Sequence, residues 1–340
     1  MHTVSKWILA YAHPFPQKPP RTWRTKLKRI ALISISVGII LFLILGTVGT
    51  WFVHRTLPQT HGTLAIAGLQ HPVAVGHDQW DVPYVTASTL HDVIFAQGYV
   101  TAQDRLFQME LSRRIAQGRL AETFGRGDNN EFVDADILLR TLSIYRVAQA
   151  QVARTDAATR MLLQAYADGV NAFLTTHKDD LPLEFTILGI TPDPWTPTDE
   201  LAAATTIALS LDSAWYYKYT RALLQMKVGK DIASELFPAY PTESPTLLAL
   251  STHAVPSKLA THLSPSTPDF ATLPTDLLHG VASVHALLES TGTSFGSNNW
   301  VVDGTRTVSG KPLLANDPHL DVSMPATWYE VASVSYTHLR

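Results

Sequence analysis

Two serines near the end of the sequence have neighbours that could make them nucleophiles. Ser294 is the central residue of a Gly-x-Ser-x-Gly motif at residues 292–296. In α/β-hydrolases this motif places a serine on a sharp turn between a buried strand and a helix. Here a Ser/Thr-rich stretch precedes the motif and a strand-like run follows it, which does not favour that geometry. An esterase-type nucleophile at Ser294 is therefore kept as an alternative.

Ser297 offers a different chemistry. It follows Gly296, just before the strand-like run Trp300-Val-Val. If the Gly296–Ser297 peptide bond were broken, Ser297 would carry both a hydroxyl and a free α-amine. An α-amine has a pKa of about 8, so it can accept the hydroxyl proton near neutral pH. Spacing alone is weak support, because most serines at such junctions lie in surface turns.

The elements that must position these serines are predicted from residue patterns. Residues 72–75 and 82–85 favour a hairpin with its turn at residues 76–78. Apolar residues recur at helical spacing in four segments. The predicted helices are 90–122, 136–150, 157–176 and 199–228, the last with Asp199 as N-cap. Strands are predicted again near residues 300–302 and 305–308.

Charge is distributed unevenly along the chain. Eight of the 26 basic residues precede the first acidic residue, Asp78, and the remaining 18 stand against all 29 acidic residues. An acidic body repels polyphosphate, so nucleic-acid binding is excluded as a function class. The chain has no cysteine, which excludes disulfides, thiolate metal sites and a cysteine nucleophile.

The basic leader borders an apolar segment. Residues 30–53 carry no charge and would span about 36 Å as a helix, enough for a bilayer core of about 30 Å. Five positive charges lie in residues 21–29, which predicts a cytoplasmic leader, 1–29, and an exported body. A signal peptide is the alternative, but its apolar run is normally shorter and ends at a small-x-small site. We therefore expect an uncleaved single-pass anchor in a bacterial cell membrane.

Three stretches resemble the penicillin acylase family of N-terminal-nucleophile (Ntn) amidohydrolases. The first comprises DQWDVPYV at 78–85, QGYVTAQDRLFQME at 97–110 and RRIAQGRLAE at 113–122. The second is LPLEFTILG at 181–189, followed by PWTP at 194–197 and Asp199. The third is GSNNWVV at 296–302 with GKPLLANDPHL at 310–320. They occur in the family's order.

The resemblance implies a precursor that cleaves itself between Gly296 and Ser297, loses a spacer and keeps its α and β chains associated. Ser297 would then attack an amide carbonyl, with its α-amine as the base, and form an acyl-enzyme. His319 would position the nucleophile, or would be an ordinary turn histidine. Leu320 would line the acyl pocket. The implied fold is α+β, an αββα sandwich that is incomplete here.

Two departures from the family limit what the resemblance implies. Relatives that bind calcium have a Glu three positions before the arginine that matches Arg221, whereas this chain has Lys218. Lys218 argues against calcium there, and no cofactor is expected to be required. Relatives are also about twice as long, and their oxyanion-hole residues match positions beyond residue 340. We therefore expect a truncated precursor that is inactive alone.

The charged side chains of the first stretch are interpreted as structural, with Glu110 and Arg114 paired across one helical turn. They are Asp104, Arg105, Glu110, Arg113, Arg114 and Glu122.

The predicted organisation combines these interpretations. After the leader and the anchor come an α-chain-like helical region at 60–236, a Pro/Ser/Thr-rich spacer at 237–296, the start of a β chain at 297–331, and a tail at 332–340 that does not resemble the family. The predicted function is hydrolysis of a linear, non-peptide acyl amide of small size. A membrane-anchored binding protein without catalysis is the non-enzyme alternative.

Overall fold

The computed structural model describes residues 21–212, 214–238, 275–290, 293–320 and 322–335. Contacts divide the chain into two units, Met1–Leu57 and Pro58–Arg340. The helices within the described ranges are α1 Arg21–His54, α2 Leu90–Gln117, α3 Leu120–Phe124, α4 Glu131–Leu142, α5 Ile144–Arg154, α6 Ala157–Thr176, α7 Leu183–Leu188, α8 Pro197–Leu211, α9 Ala214–Val228, α10 Lys230–Leu236 and α11 Thr275–Ser290. The strands are β1 Ala74–His77, β2 Pro83–Ala87, β3 Thr293–Val302, β4 Leu313–Leu320 and β5 Ala332–Ser335.

The described part of the first unit is α1 and the short turn after it. The helix contains the whole uncharged run 30–53, and its apolar side chains are exposed. It is long and apolar enough to cross a membrane, with a mean hydropathy of 2.7 in its most apolar window. A signal sequence near an N-terminus would have the same properties.

The second unit begins with the predicted hairpin, which is confirmed as the antiparallel pair β1–β2. Its turn lies later than predicted, because residues 76 and 77 belong to β1. The Asp78 carboxylate accepts hydrogen bonds from the backbone N–H groups of Trp80 (2.8 Å) and Val82 (3.0 Å), which places the reversal after residue 78. β5 pairs in parallel with β2 and completes a three-stranded sheet.

Helices α2 and α6 pack backbone against backbone beside this sheet. A Cβ at Gly169 would lie 1.9 Å from the carbonyl oxygen of Phe95, and one at Gly98 would lie 2.2 Å from that of Tyr166. Only glycine permits so close a crossing. The predicted helix 157–176 is confirmed in full, with Asp156 as N-cap accepting from the Thr159 N–H. The apolar core here includes Val85, Val100, Leu106, Ala167, Val170, Phe173, Phe185 and Trp195.

A second core lies between α4, α5, α8 and α11. The helix predicted at 136–150 is divided in two, because Ser143 adopts left-handed backbone angles (φ 59°). The helix predicted at 199–228 is also two helices, and Asp199 is not the N-cap. Thr196 is, while Asp199 in the first turn accepts from the Thr196 N–H at 2.8 Å.

Part of the predicted spacer forms α11, while residues 239–274 lie outside the described residues. After α11, β3 and β4 form an antiparallel ribbon. The strand predicted at 305–308 is wrong, because residues 304–306 form a 3₁₀ turn. The Asp303 carboxylate stabilises this turn by accepting from the N–H (2.8 Å) and the hydroxyl (2.7 Å) of Thr305.

Candidate active site

The β3–β4 ribbon carries the residues that the sequence singled out. Gly296 pairs with His319, and Ser297 pairs with Pro318. The predicted scissile bond therefore lies inside a strand, and the Ser297 side chain is exposed. The pairing is irregular between Thr293 and Gly296, so the residues just before the bond depart from the regular ladder.

The register also determines which side chains share a face of the ribbon. Directly opposed residues of an antiparallel pair project to the same face, and neighbours along a strand alternate. Ser297 therefore shares a face with Pro318 and Leu320, about 8 Å from Leu320 between Cα atoms. His319 projects to the opposite face, where its Nε2 lies 3.1 Å from a carboxylate oxygen of Asp317. The structure brings His319 beside the scissile bond, but its imidazole does not reach the Ser297 hydroxyl.

Leu320 lies in the wall of a cavity of about 410 Å³. The other walls come from α2, α8, residues 182–184 and the segment 323–328, and most of the exposed lining is apolar. The apolar lining residues besides Leu320 are Leu106, Phe107, Leu111, Ile115, Pro182, Ile207, Leu211, Met324, Pro325 and Trp328. The sequence did not single them out, because a stripe such as Phe107, Leu111 and Ile115 is equally typical of an ordinary core face.

Contacts with α2 hold the segment after β4 against the helical region. The Tyr329 hydroxyl donates to the Asp104 carboxylate, and the Arg105 guanidinium lies over the Tyr329 ring at 5.4 Å. The Gln108 side-chain amide donates to the carbonyl of Ala326 at 3.1 Å. Burial and the nearby Asp104 carboxylate raise the pKa of the Tyr329 phenol, so it stays protonated and donates. These contacts join residues on the two sides of the predicted scissile bond.

Three members of the charged set, Glu110, Arg113 and Arg114, form a buried network on α2. Glu110 bonds both Arg113 and Arg114, the latter at 2.6 Å, which confirms the pairing of Glu110 with Arg114. Arg113 also donates to the backbone carbonyl of Asp193 at 2.9 Å and lies over the Trp195 ring at 5.1 Å. This network ties α2 to the loop that precedes α8, the structural role expected for it.

Ser294 and Lys218 are two further positions that the sequence singled out. Ser294 lies within β3 and not at a strand-to-helix turn, so the esterase geometry is absent at this residue. Lys218 is exposed on α9. No three His, Asp or Glu side chains gather to hold a metal ion in the part of the chain that the structure describes. An ammonium at Lys218 cannot supply the oxygen ligand that calcium requires, so this position does not fit calcium.

Comparison with known proteins places this geometry in a family. A family model described as Penicillin amidase matches residues 72–337. Penicillin acylase 2 proenzyme of Pseudomonas sp. (strain SE83) is 37% identical over 278 residues, which cover 80% of this chain and 33% of that protein. Acyl-homoserine lactone acylase QuiP of Pseudomonas aeruginosa is 33% identical over 293 residues, which cover 84% of this chain and 33% of that protein. The chain thus spans about a third of the length of these relatives, which are longer than the twofold length expected from the resemblance.

Among solved structures, the thermostable penicillin G acylase from Alcaligenes faecalis in tetragonal form is 28% identical, with a TM-score of 0.44 over 53% of this chain and 98% of that chain. The match to the family model extends from β1 through the ribbon to β5. The chain belongs to the penicillin amidase family.

Proposed function

We propose that this chain is part of a membrane-anchored amidohydrolase that uses Ser297 as an N-terminal nucleophile. It would hydrolyse a linear, non-peptide acyl amide, as the names of its relatives suggest. One observation carries the proposal: the register of the ribbon directs Ser297 and Leu320 to the same face, and Leu320 lines a largely apolar cavity.

The nucleophile is made by cleavage of the chain. The Ser297 hydroxyl attacks the carbonyl carbon of Gly296, the C–N bond breaks, and the proton passes to the Ser297 nitrogen. Water then hydrolyses the resulting ester, which leaves a carboxylate on Gly296 and a free amine and hydroxyl on Ser297. The irregular pairing before Gly296 supports this reaction, since the attacked carbonyl borders the interruption in the ladder.

Turnover uses the two groups that cleavage exposes. The α-amine accepts the proton of the Ser297 hydroxyl as the oxygen attacks the substrate carbonyl, and it returns the proton to the departing amine. The acyl group occupies the cavity beside Leu320, whose volume of about 410 Å³ suits a small ligand. His319, held by Asp317 on the other face, positions the backbone that carries the new N-terminus.

Exposed apolar side chains on the β3–β4 ribbon support the proposal that the whole enzyme has the αββα fold. Apolar side chains are exposed on both faces, Trp300 to 67% on one and Val301 and Leu314 to about 75% on the other. A strand pair that is apolar on both faces is stabilised when it is covered on both faces. We therefore propose that further strands and helical layers of the whole enzyme cover it.

The same contacts that flank the cavity support lasting association of the cleaved chains. Tyr329 and Ala326 would belong to the β chain, whereas Asp104 and Gln108 would belong to the α chain. The parallel pair β2–β5 also crosses between them. For localisation, we propose that α1 is a single-pass anchor with the catalytic part outside the bacterial cell membrane.

The test compares two serine substitutions in the whole protein. N-terminal sequencing of wild type and Ser294→Ala should find a new terminus at Ser297, and Ser297→Ala should remain uncut. Acyl release from a penicillin and from an N-acyl-homoserine lactone is then measured. An uncut chain with full activity, or activity lost in Ser294→Ala alone, would refute the proposal. A cleaved chain inactive on every acyl amide would favour the binding-protein alternative.

A further inference from the structure

Helix α11 lies inside the predicted spacer, yet it contributes to the second core. Val281 is 6% exposed and Val284 is fully buried. They pack in one cluster with residues of α4, α5 and α8, including Leu138, Leu139, Ala148 and Ala202. A peptide destined to leave after cleavage would not need to complete the core of the unit it leaves.

The fit between α11 and α4 is close at the backbone. A Cβ at Gly280 would lie 2.8 Å from the carbonyl oxygen of Asp134 and 3.1 Å from the Cβ of Leu138. A glycine at this point of contact lets the two helices approach, and most larger side chains would separate them. The groove on α4 is therefore shaped for this particular segment.

A second contact connects α11 to α9. The His285 ring stacks on Tyr216 with the ring centres 3.6 Å apart and the planes 27° from parallel. Trp215 meets the same histidine edge to face at 6.4 Å. Two neighbouring helices therefore hold α11 through different residues.

We propose that α11 stays docked on α4 and α9 after the Gly296–Ser297 bond is cleaved, as a permanent part of the mature enzyme. The inference rests on the proposed function, because it presumes that cleavage. The inference shortens the predicted spacer, because any peptide lost during maturation would not contain Thr275–Ser290. The segment that occupies the groove on α4 is this chain's own α11, whether α11 remains on the α chain or becomes a separate peptide.

The test is made on the cleaved wild-type protein. Size-exclusion chromatography under native conditions is followed by intact-mass analysis after denaturation. A polypeptide that contains residues 275–290 should co-elute in a one-to-one ratio with the chain that begins at Ser297. A cleaved, active assembly without these residues would overturn the inference. An uncleaved chain would instead refute the proposed function.

Two matched variants extend the test. Val284→Asp puts a charge into the core, and we expect the amides of residues 275–290 in the cleaved assembly to exchange hydrogen at least tenfold faster than in wild type. Ala282→Asp adds the same charge at an exposed position of α11 and should leave this exchange unchanged. Equal exchange in both variants would overturn the inference. If Val284→Asp does not fold, the wild-type measurement still decides whether residues 275–290 belong to the mature enzyme.

Discussion

Replacing Asp92 with asparagine would test whether one buried carboxylate holds the segment before β1 against α2. Asp92 lies in the first turn of α2 and is fully buried. It accepts from the backbone N–H groups of Gln70 (2.8 Å) and His71 (3.1 Å) and from the Thr89 hydroxyl (2.8 Å). The Nδ1 atoms of His71 and His91 each lie 3.2 Å from its oxygens.

The size of the effect follows from the pKa of this carboxyl. Burial alone would raise it, but the hydrogen bonds outweigh burial and lower the pKa of Asp92 from 3.8 to about 2. The lowering of the pKa corresponds to about 2.5 kcal/mol of stability for the state in which the segment before β1 is bound to Asp92. Because the pKa is lower in the folded state, this stability is present above about pH 4 and is lost as the pH falls from about 4 to about 2.

Hydrogen exchange measured by mass spectrometry reports on this segment directly. At pH 7 we expect the amides of Gln70 and His71 to exchange about sixty-fold faster in Asp92→Asn than in wild type. The difference should shrink below pH 4. Asp168→Asn, which removes an exposed carboxylate on α6, is the control and should leave these amides unchanged. Equal exchange in Asp92→Asn and wild type at pH 7 would refute the reasoning.

Three further changes test other contacts. Gly169→Ala should lower stability to denaturant by about 3 kcal/mol, because α2 and α6 must separate, while Gly76→Ala meets open space and should change little; equal losses would contradict this. Burial, helped by a neighbouring carboxylate, raises the pKa of Glu200 from 4.5 to about 7, so Glu200→Gln should raise the melting temperature more at pH 8 than at pH 5, and a pH-independent gain would count against it. Tyr329→Phe should weaken the association of the cleaved chains by about 1–2 kcal/mol in a urea titration, since the Asp104 carboxylate loses its donor; an unchanged midpoint would exclude this role.

Local chemistry explains which elements could be predicted from the sequence. Helix α6 was predicted to the residue because an Asp N-cap and a sustained apolar period agree. The errors occur where a single side chain redirects the backbone. Asp78 moves the hairpin turn, Asp303 converts a predicted strand into a 3₁₀ turn, and Asp199 supports the cap residue Thr196 instead of replacing it. Such side-chain-to-backbone bonds compete with regular structure and leave no periodic pattern.

Only part of the candidate site could likewise be predicted from the sequence. The resemblance to the family proposed Ser297, His319 and Leu320, and all three lie in one ribbon. The sequence could not identify the helical walls of the cavity, which lie more than a hundred residues from Leu320 along the chain. It also could not show that Ser297 and His319 lie on opposite faces, because that depends on the register. The packing of α11 could not be predicted either, since the spacing of Val281 and Val284 is typical of any amphipathic helix.

The strand that contains the proposed scissile bond sets a condition on how the proposed site would open. In the uncut chain, Thr293 pairs with Leu320 and Gly296 pairs with His319, so the residues ahead of Ser297 cover the part of β4 beside Leu320. Cleavage of the proposed bond would not by itself remove them. If α11 stays docked, the new carboxylate at Gly296 remains tethered to Ser290 by six residues, a reach of about 20 Å at most. The site would then open by detachment of residues 293–296 from β4, with the helix in place, and the carboxylate would compete with acidic acyl groups for the space beside Ser297.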